Sequence, residues 1–491
     1  MHQHHLRLAL ATATAAALTG GLLTFSAVTA TAADSTTVPQ ADFNGDGKGD
    51  VAFHASTAYV AGKKDAGQFV AVYGTSTGVS SAKRHTISQN TAGVPGDAEA
   101  GDHFANDLAY ADFNGDGYDD LAVSSAGEDL GKDVDAGAVA ILWGSASGIT
   151  GKAVPVNDPA PTSHDFWGST IAAGDFDGDG RADLAVGSTG ATIHVFKGGF
   201  TTAGTAGGRY TIKPPIAGTN GDGPINLTAG DVNGDRRTDL VVDGYETVTE
   251  NGWNRNWFVP GTASGLSMAS SQTLKPGVIT AIGDINADGY GDIVTGAYWN
   301  STTEDGQTMP DAAKGGKVWV TNGSASGPAT VTGITQETGN VPGSSETDDW
   351  FGYELDLGDV NGDTYLDLVV GVAGEDLGGA ADTGSVAVLY GTANGLDTTS
   401  GIQSFAQNTA GVPGADEHED WFGLDVKLDD VTGDGRADLL VGSAENAGNG
   451  AVTYLPSNGT KITTSGSRTL SPSTSGVSTT GSPFFGANFA D

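Results

Sequence analysis

Short apolar runs, each bounded by polar, glycine-rich breaks, recur from about residue 42 to the end of the chain. Leu121-Ala122-Val123, Leu184-Ala185-Val186, Leu240-Val241-Val242, Leu368-Val369-Val370 and Leu439-Leu440-Val441 are typical. Continuous runs this short, bounded by turn residues, predict buried inner strands. A later segment of the same unit, such as 137–142 or 384–389, predicts the next strand. A G-[ST]-[AT]-[SN]-G turn follows at 144–148, 261–265, 323–327 and 391–395. No helical 3.6-residue period is sustained beyond the first 33 residues.

Immediately before each inner-strand run stands a nine-residue pattern, D-x-[N/D/T]-x-D-x-x-x-D. It begins at 42, 112, 175, 231, 284, 359 and 430, a mean interval of about 65 residues (430 − 42 over six intervals). Seven units of that length account for residues 34–491, and no segment is expected to remain for a separate catalytic domain. About four short strands per unit fit a propeller blade. The expected fold is therefore all-β, a seven-bladed β-propeller. A parallel β-helix has much shorter repeats and fits less well.

Alternation within the nine residues carries the chemistry. Position 2 is always apolar (Phe43, Phe113, Phe176, Val232, Ile285, Val360, Val431), whereas positions 1, 3, 5 and 9 bear hard oxygen donors. Calcium takes several such ligands, backbone carbonyls included. The first cage offers Asp42, Asn44, Asp46 and Asp50 with the Lys48 carbonyl at position 7; the second, Asp112, Asn114, Asp116 and Asp120 with Tyr118. The third has four aspartates, Asp175, Asp177, Asp179 and Asp183, with Arg181, and brings the most charge. The fourth has Asp231, Asn233, Asp235 and Asp239 with Arg237; the fifth, Asp284, Asn286, Asp288 and Asp292 with Tyr290. The sixth has Asp359, Asn361, Asp363 and Asp367 with Tyr365; the seventh, Asp430, Thr432, Asp434 and Asp438 with Arg436. Up to seven Ca²⁺ ions are expected. Arg236 and Thr364 replace the glycine preferred at position 6, which strains cages 4 and 6, and Thr432 is a weaker ligand than a carboxamide. An EF-hand would need Glu at position 12, where these units carry Phe53, Val123, Val186, Val242, Thr295, Val370 and Val441. A dockerin-type loop would be followed by helix, and here a strand follows.

Composition narrows the function. Of 491 residues 60 are acidic and 22 basic, a net charge of −38, and 77 are glycine. So few cations argue against nucleic acid and against anionic lipid surfaces. No cysteine is present, which removes disulfides, thiolate metal sites and cysteine nucleophiles. Twenty-two of the acids occupy cage positions, three in each of six cages and four in the third. No G-x-S-x-G elbow, H-E-x-x-H pair or Walker loop is present, so no catalytic constellation is identified. His103, His164 and His418 lie beside acids in the segments before Phe-Gly or its variants, and this recurrence favours a structural role.

Residues 1–33 read as a secretory signal, with Arg7, an apolar stretch from Leu8 to about Val28, and an A-x-A site at Ala30-Thr31-Ala32. The mature chain, 34–491, is expected to be secreted, extracellular and monomeric, without a membrane span.

Phe104-Ala105, Trp167-Gly168, Phe351-Gly352, Phe422-Gly423 and Phe485-Gly486 carry Phe-Gly or a variant, and four of these precede a cage by seven residues. With the calcium pattern, this resembles the FG-GAP repeat of the integrin α-subunit N-terminal propeller. Blades 4 and 5 lack an obvious Phe-Gly (224–230 and 277–283). The resemblance implies a seven-bladed propeller with metal loops on one face and partners on the other. Phe485-Gly486 is in phase with the earlier copies, yet its cage would begin two residues past Asp491. The C-terminal strand is therefore expected to complete the blade begun by residues 42–74. The metal-distal face would carry Gly127-Glu128-Asp129, Gly374-Glu375-Asp376, Glu445 and the acidic segments 89–104, 336–351 and 407–422. The expected function is a calcium-binding adhesion or binding module for an extracellular protein or glycan. The alternative is a carbohydrate-binding propeller, with Trp253, Trp257, Tyr298 and Trp299 as candidate stacking residues, or a polysaccharide-active or other hydrolase.

Overall fold

The computed structural model describes residues 40–218, 223–248, 252–299, 303–304, 307–445 and 448–490; the expected leader lies outside them. The described chain forms seven antiparallel sheets in chain order, the seven blades of a propeller. Blade 2 is representative: Phe104–Ala111, Asp120–Ser125, Ala138–Leu142 and Ala153–Pro155 pair in succession from the inner to the outer strand. The inner strands of blades 3 to 7 are Ile171–Gly174, Asn226–Gly230, Ile279–Gly283, Phe351–Gly358 and Asp425–Asp429. Blade 5 adds a two-stranded ribbon, Thr303–Glu304 with Gln307–Thr308. One short helix, Pro472–Ser475, lies against blade 1, where Thr86 Oγ1 donates to the Ser475 carbonyl. No helix of the described residues is long and apolar enough to cross a membrane.

The nine-residue loops join the first and second strands in one register. In each blade the residue before position 1 pairs with the aspartate at position 9, from Ala41 with Asp50 to Asp429 with Asp438. The apolar second residue of every loop is buried. The core is a series of seams between blades rather than one centre: Phe43 and Tyr110 share a seam of blades 1 and 2, and Phe113 and Leu184 one of blades 2 and 3. Phe-Gly supplies a second joint on these seams. Phe104, Trp167, Phe351, Phe422 and Phe485 are all buried, and each backbone N–H donates to a carbonyl just before the third strand of the preceding blade (Ala66, Ala136, Gly315, Thr383 and Asn449). A Cβ on the neighbouring Gly384 would lie 2.4 Å from Phe422 N, so the approach requires glycine.

The ring closes as the phase of the terminal Phe-Gly predicts. Blade 1 has three strands of its own, Val51–Ala55, Gln68–Val72 and Arg84–Ile87. Its inner position is filled from both ends of the chain: Ala41 bridges Asp50, and Phe489 bridges Phe53. His54 N donates to Asn488 O at 2.8 Å, and Ala490 N donates to Ala52 O at 2.7 Å. Phe53 packs edge-on against Phe485 and Phe489 at 4.9 and 5.9 Å. Blade 7 holds the same segment, with Phe489 N donating to Asp425 Oδ2 at 2.6 Å and Lys427 Nζ to Ala490 O at 2.7 Å. This removes the exposed sheet edges of an open array. Phe489 is fully buried, so Phe489→Ala should cost about 3–5 kcal/mol in denaturant unfolding. Deleting 484–491 should lower the melting temperature by many degrees, and an unchanged melt would remove the closure from the account.

Candidate metal centres and the opposite face

The seven loops share one hydrogen-bond plan. The position 1 carboxylate accepts the N–H of position 6 in every cage, from 2.6 Å (Gly435 to Asp430) to 2.9 Å (Thr364 to Asp359). Its other oxygen accepts the N–H of position 5. The position 5 carboxylate accepts the N–H of position 7. Arg236 and Thr364 take the left-handed backbone of the glycines they replace, with φ of 67° and 76°. Ala287 does so at position 4 of cage 5, a departure not singled out from the sequence. The irregular loops keep the shape of the others and hold local strain of roughly 1–2 kcal/mol each.

Position 9 is the keystone. Its Oδ1 accepts a backbone N–H from just past the end of the third strand in all seven blades: Gly74, Gly144, Gly198, Gly261, Gly323, Gly391 and Ser457. In blades 2 to 6 its Oδ2 also accepts the N–H of position 2. Burial pushes these carboxyls upward, Asp50, Asp183 and Asp367 to about 8, Asp120 to about 9, and Asp292 and Asp438 to about 7, with Asp239 well above its usual value. Neighbouring carboxylates at positions 1 and 5 add to the shift.

These residues fit a hard divalent cation. Ligand oxygens of Asp175, Asp177 and Asp179 lie within 4.8 Å of one another. In cage 5 the position 3 oxygen, Asn286 Oδ1, is shielded from solvent and has no hydrogen-bond partner. Two features went unseen in the sequence. Lys197, from the third strand of blade 3, places Nζ 2.6 Å from Asp177 Oδ2, so the extra aspartate of cage 3 is offset by an internal cation. The cages are also joined to one another: the position 8 N–H donates to the position 1 carbonyl of the preceding cage in Asp119 to Asp42, Thr238 to Asp175, Gly291 to Asp231 and Ala437 to Asp359, and Gly49 to Asp430 carries the link across the chain ends.

The Gly-Glu-Asp loops and the segments before Phe-Gly meet on the opposite face. Gln89 donates to Glu128, Gln336 to Glu375 at 2.9 Å, and Gln407 to Glu445. Burial lifts Glu128 and Glu375 to about 7 and raises Glu445. The residue before each Phe-Gly or variant (His103, Phe166, Trp350, Trp421, Phe484) has a positive φ, between 48° and 59°. Side chains rarely adopt that conformation without compensation. Trp350 stacks on Tyr353 at 5.5 Å and approaches Trp421 at 6.2 Å, and Tyr298 lies 5.2 Å from Tyr353. With Leu424 and Phe484 they form one cluster at the metal-distal ends of the inner strands.

The four stacking candidates part company. Tyr298 joins this cluster, and Trp299 touches its edge at 6.2 Å from Tyr298. Trp253 is half-buried elsewhere, and Trp257 is a core residue of the blade 3–4 seam, 5% exposed. The histidines also go to separate places. His164 stacks on Trp167 at 5.6 Å with Asp158 3.5 Å away, His103 directly precedes Phe104, and His418 is exposed beside Glu419.

Comparison with known proteins agrees with the geometry. A model described as FG-GAP-like repeat matches residues 112–186, and one described as FG-GAP repeat matches 167–207, 276–321 and 351–389, including blade 5. Phosphatidylinositol-glycan-specific phospholipase D of Mus musculus is 31% identical over 148 residues, 30% of this chain and 17% of that protein. Integrin alpha-PS2 of Drosophila melanogaster is 26% identical over 273 residues, 55% of this chain and 15% of that protein. The chain thus spans less than a fifth of either relative. The solved Dos1 propeller covers 82% of each chain at 8% identity with a TM-score of 0.40. The chain carries FG-GAP repeats, built into a seven-bladed β-propeller.

Proposed function

We propose that this chain is a secreted, calcium-stabilised propeller that acts as a binding or adhesion module through its metal-distal face. The leader pattern of residues 1–33 supports export. The seven oxygen-rich loops support calcium, each from positions 1, 3, 5 and 9 with the position 7 carbonyl. The observation that carries the docking reading is the group of partly exposed aromatics Tyr298, Trp350, Trp421 and Phe484 packed against the buried Tyr353. Three of its members, Trp350, Trp421 and Phe484, stand at the left-handed position that precedes each Phe-Gly or variant, which turns their side chains into one cluster. Aromatic side chains with an apolar body and a polar edge are enriched at interfaces. Their partner is an extracellular protein or glycan. A carbohydrate is favoured as the second reading by the stacked Trp350–Tyr353 pair beside the unpartnered indole N–H groups of Trp421 and Trp299.

Two experiments test this reading. For calcium, the raised position 9 carboxyls fix the sign of a pH effect. With chelator present the folded chain keeps protons that the unfolded chain has released, so this contribution is full below about pH 4 and is lost as pH rises towards 8 or 9. The melting temperature in chelator should therefore fall from pH 5 to 8.5, whereas in excess calcium it should rise over that range, because protons compete with the ion. Parallel curves would remove the calcium reading. For docking, the calcium-loaded chain is applied to glycan arrays and to extracellular-matrix proteins. Binding on one of them is expected to drop at least tenfold in the Trp350→Ala/Trp421→Ala variant with a retained fold, and undiminished binding would contradict the assignment of the face.

A further inference from the structure

Position 9 plus four is a tight place in this fold. It is glycine in four blades (Gly187, Gly296, Gly371 and Gly442), His54 in blade 1 and Ser124 in blade 2. Above Gly296, Gly371 and Gly442 the glycine of the next blade's Phe-Gly crosses directly, whereas Pro224 of blade 4 lies above Gly187. A Cβ would lie 2.1 Å from Gly352 O at Gly296, 2.3 Å from Gly423 O at Gly371 and 2.0 Å from Gly486 O at Gly442. Blade 4 carries Asp243 there, and blade 5, which follows it, has no Phe-Gly. The two departures fall together: where blade 5 brings no Phe-Gly, this position carries a carboxylate.

Asp243 does not stand alone. It pairs in register with Asn226 on the first strand of blade 4 and with Asn256 on the third. Residues directly opposite across antiparallel strands project from the same face. That face looks toward blade 5, where Thr280 Oγ1 donates to Asp243 Oδ2 at 3.4 Å. Asn226, Asp243 and Asn256 are fully buried, and Thr280 is 2% exposed. The seam around them is apolar, with Val232, Val241, Phe258 and Ile293. Yet Asp243 Oδ1, Asn226 Oδ1 and both polar atoms of Asn256 have no hydrogen-bond partner. No Lys, Arg or His forms an ion pair with Asp243 among the described residues. A buried carboxylate without a compensating charge is strongly unfavourable, and unmade hydrogen bonds add about 1–3 kcal/mol each. Such a constellation calls for a missing occupant or a proton.

We propose that Asp243, Asn226, Asn256 and Thr280 hold an alkali cation between blades 4 and 5. The donors are all oxygens, which suits a hard ion and excludes soft transition metals. One carboxylate balances one positive charge. A divalent ion would leave a net charge in an apolar seam, at the penalty that disfavours the bare carboxylate. The site is separate from the aspartate cages and does not depend on their holding calcium.

The test is thermal unfolding of the mature chain in sodium, potassium or choline chloride at equal ionic strength, in excess calcium and again in chelator. The wild type is expected to melt at least about 2 °C higher in the preferred alkali salt than in choline, as for any ligand that binds only the folded state. Asp243→Asn, nearly the same in shape but uncharged, should lose this difference and melt below the wild type in that salt. Equal melting of the wild type in all three salts overturns the proposal. So does an Asp243→Asn variant that melts as high or higher, because the carboxyl would then be protonated. Should that variant fail to fold, Thr280→Val replaces it, and ²³Na line broadening with the wild type, reversed by potassium, gives an independent reading. Calcium dependence without alkali dependence would leave the cage reading intact while rejecting this one.

Discussion

The architecture depends on the placement of seven aspartates at the ninth position of the loops. Each is buried at the start of a second strand, and one oxygen accepts a backbone N–H from the far end of the third strand. In five blades the other oxygen holds the position 2 N–H, and that residue plugs the core. A single side chain thereby fixes the loop, the register of two strand pairs and the inner corner of the blade. The same burial makes the charge expensive unless a proton or a cation answers it. The acidic loops are therefore structural joints whose electrostatic strain a divalent ion would relieve.

From these joints the ring is assembled by repetition. Position 8 of one loop donates to position 1 of the preceding one, and Phe-Gly docks beside the third strand of the preceding blade. Both joints also close the ring across the chain ends, where Gly49 N donates to Asp430 O and Gly486 N of the last Phe-Gly donates to His54 O. The cage face and the seams thus carry the mechanical load. The metal-distal face is left to present aromatic side chains in left-handed backbone above acidic rims. Where the repeat is broken, in blades 4 and 5, the joint is replaced by the buried Asn226–Asp243–Asn256 row.

Much of this was legible in the sequence, because phased repeats state their register openly. The blade count, the buried second position and the shared blade followed from the spacing of the aspartates and from the phase of Phe485-Gly486, whereas the run after each loop, read as the inner strand, is the second strand of its blade. Contacts between units were less accessible. Lys197 offsets the extra aspartate of cage 3 from a strand 20 residues beyond Asp177, and no local pattern announces it. Arg236 and Thr364 read as spoiled turns, yet the loop shape tolerates them, since their neighbours over-determine the backbone. The aromatic cluster lay hidden because its members come from four separate units; the common signal was the bulky residue directly before Phe-Gly. Trp257 follows polar residues in the chain but packs into the seam with blade 3, on the face of its strand opposite Asn256 and Phe258.

The central claim is that the seven loops are calcium sites that hold the blades in register. Its most direct test is isothermal titration of calcium into the chelator-stripped, folded chain, with bound metal counted independently by elemental analysis. The account predicts close to seven ions per chain, and one fewer when Asp112 and Asp116 are replaced by asparagine. A folded chain that binds no calcium, or binds the same number after that replacement, would contradict it.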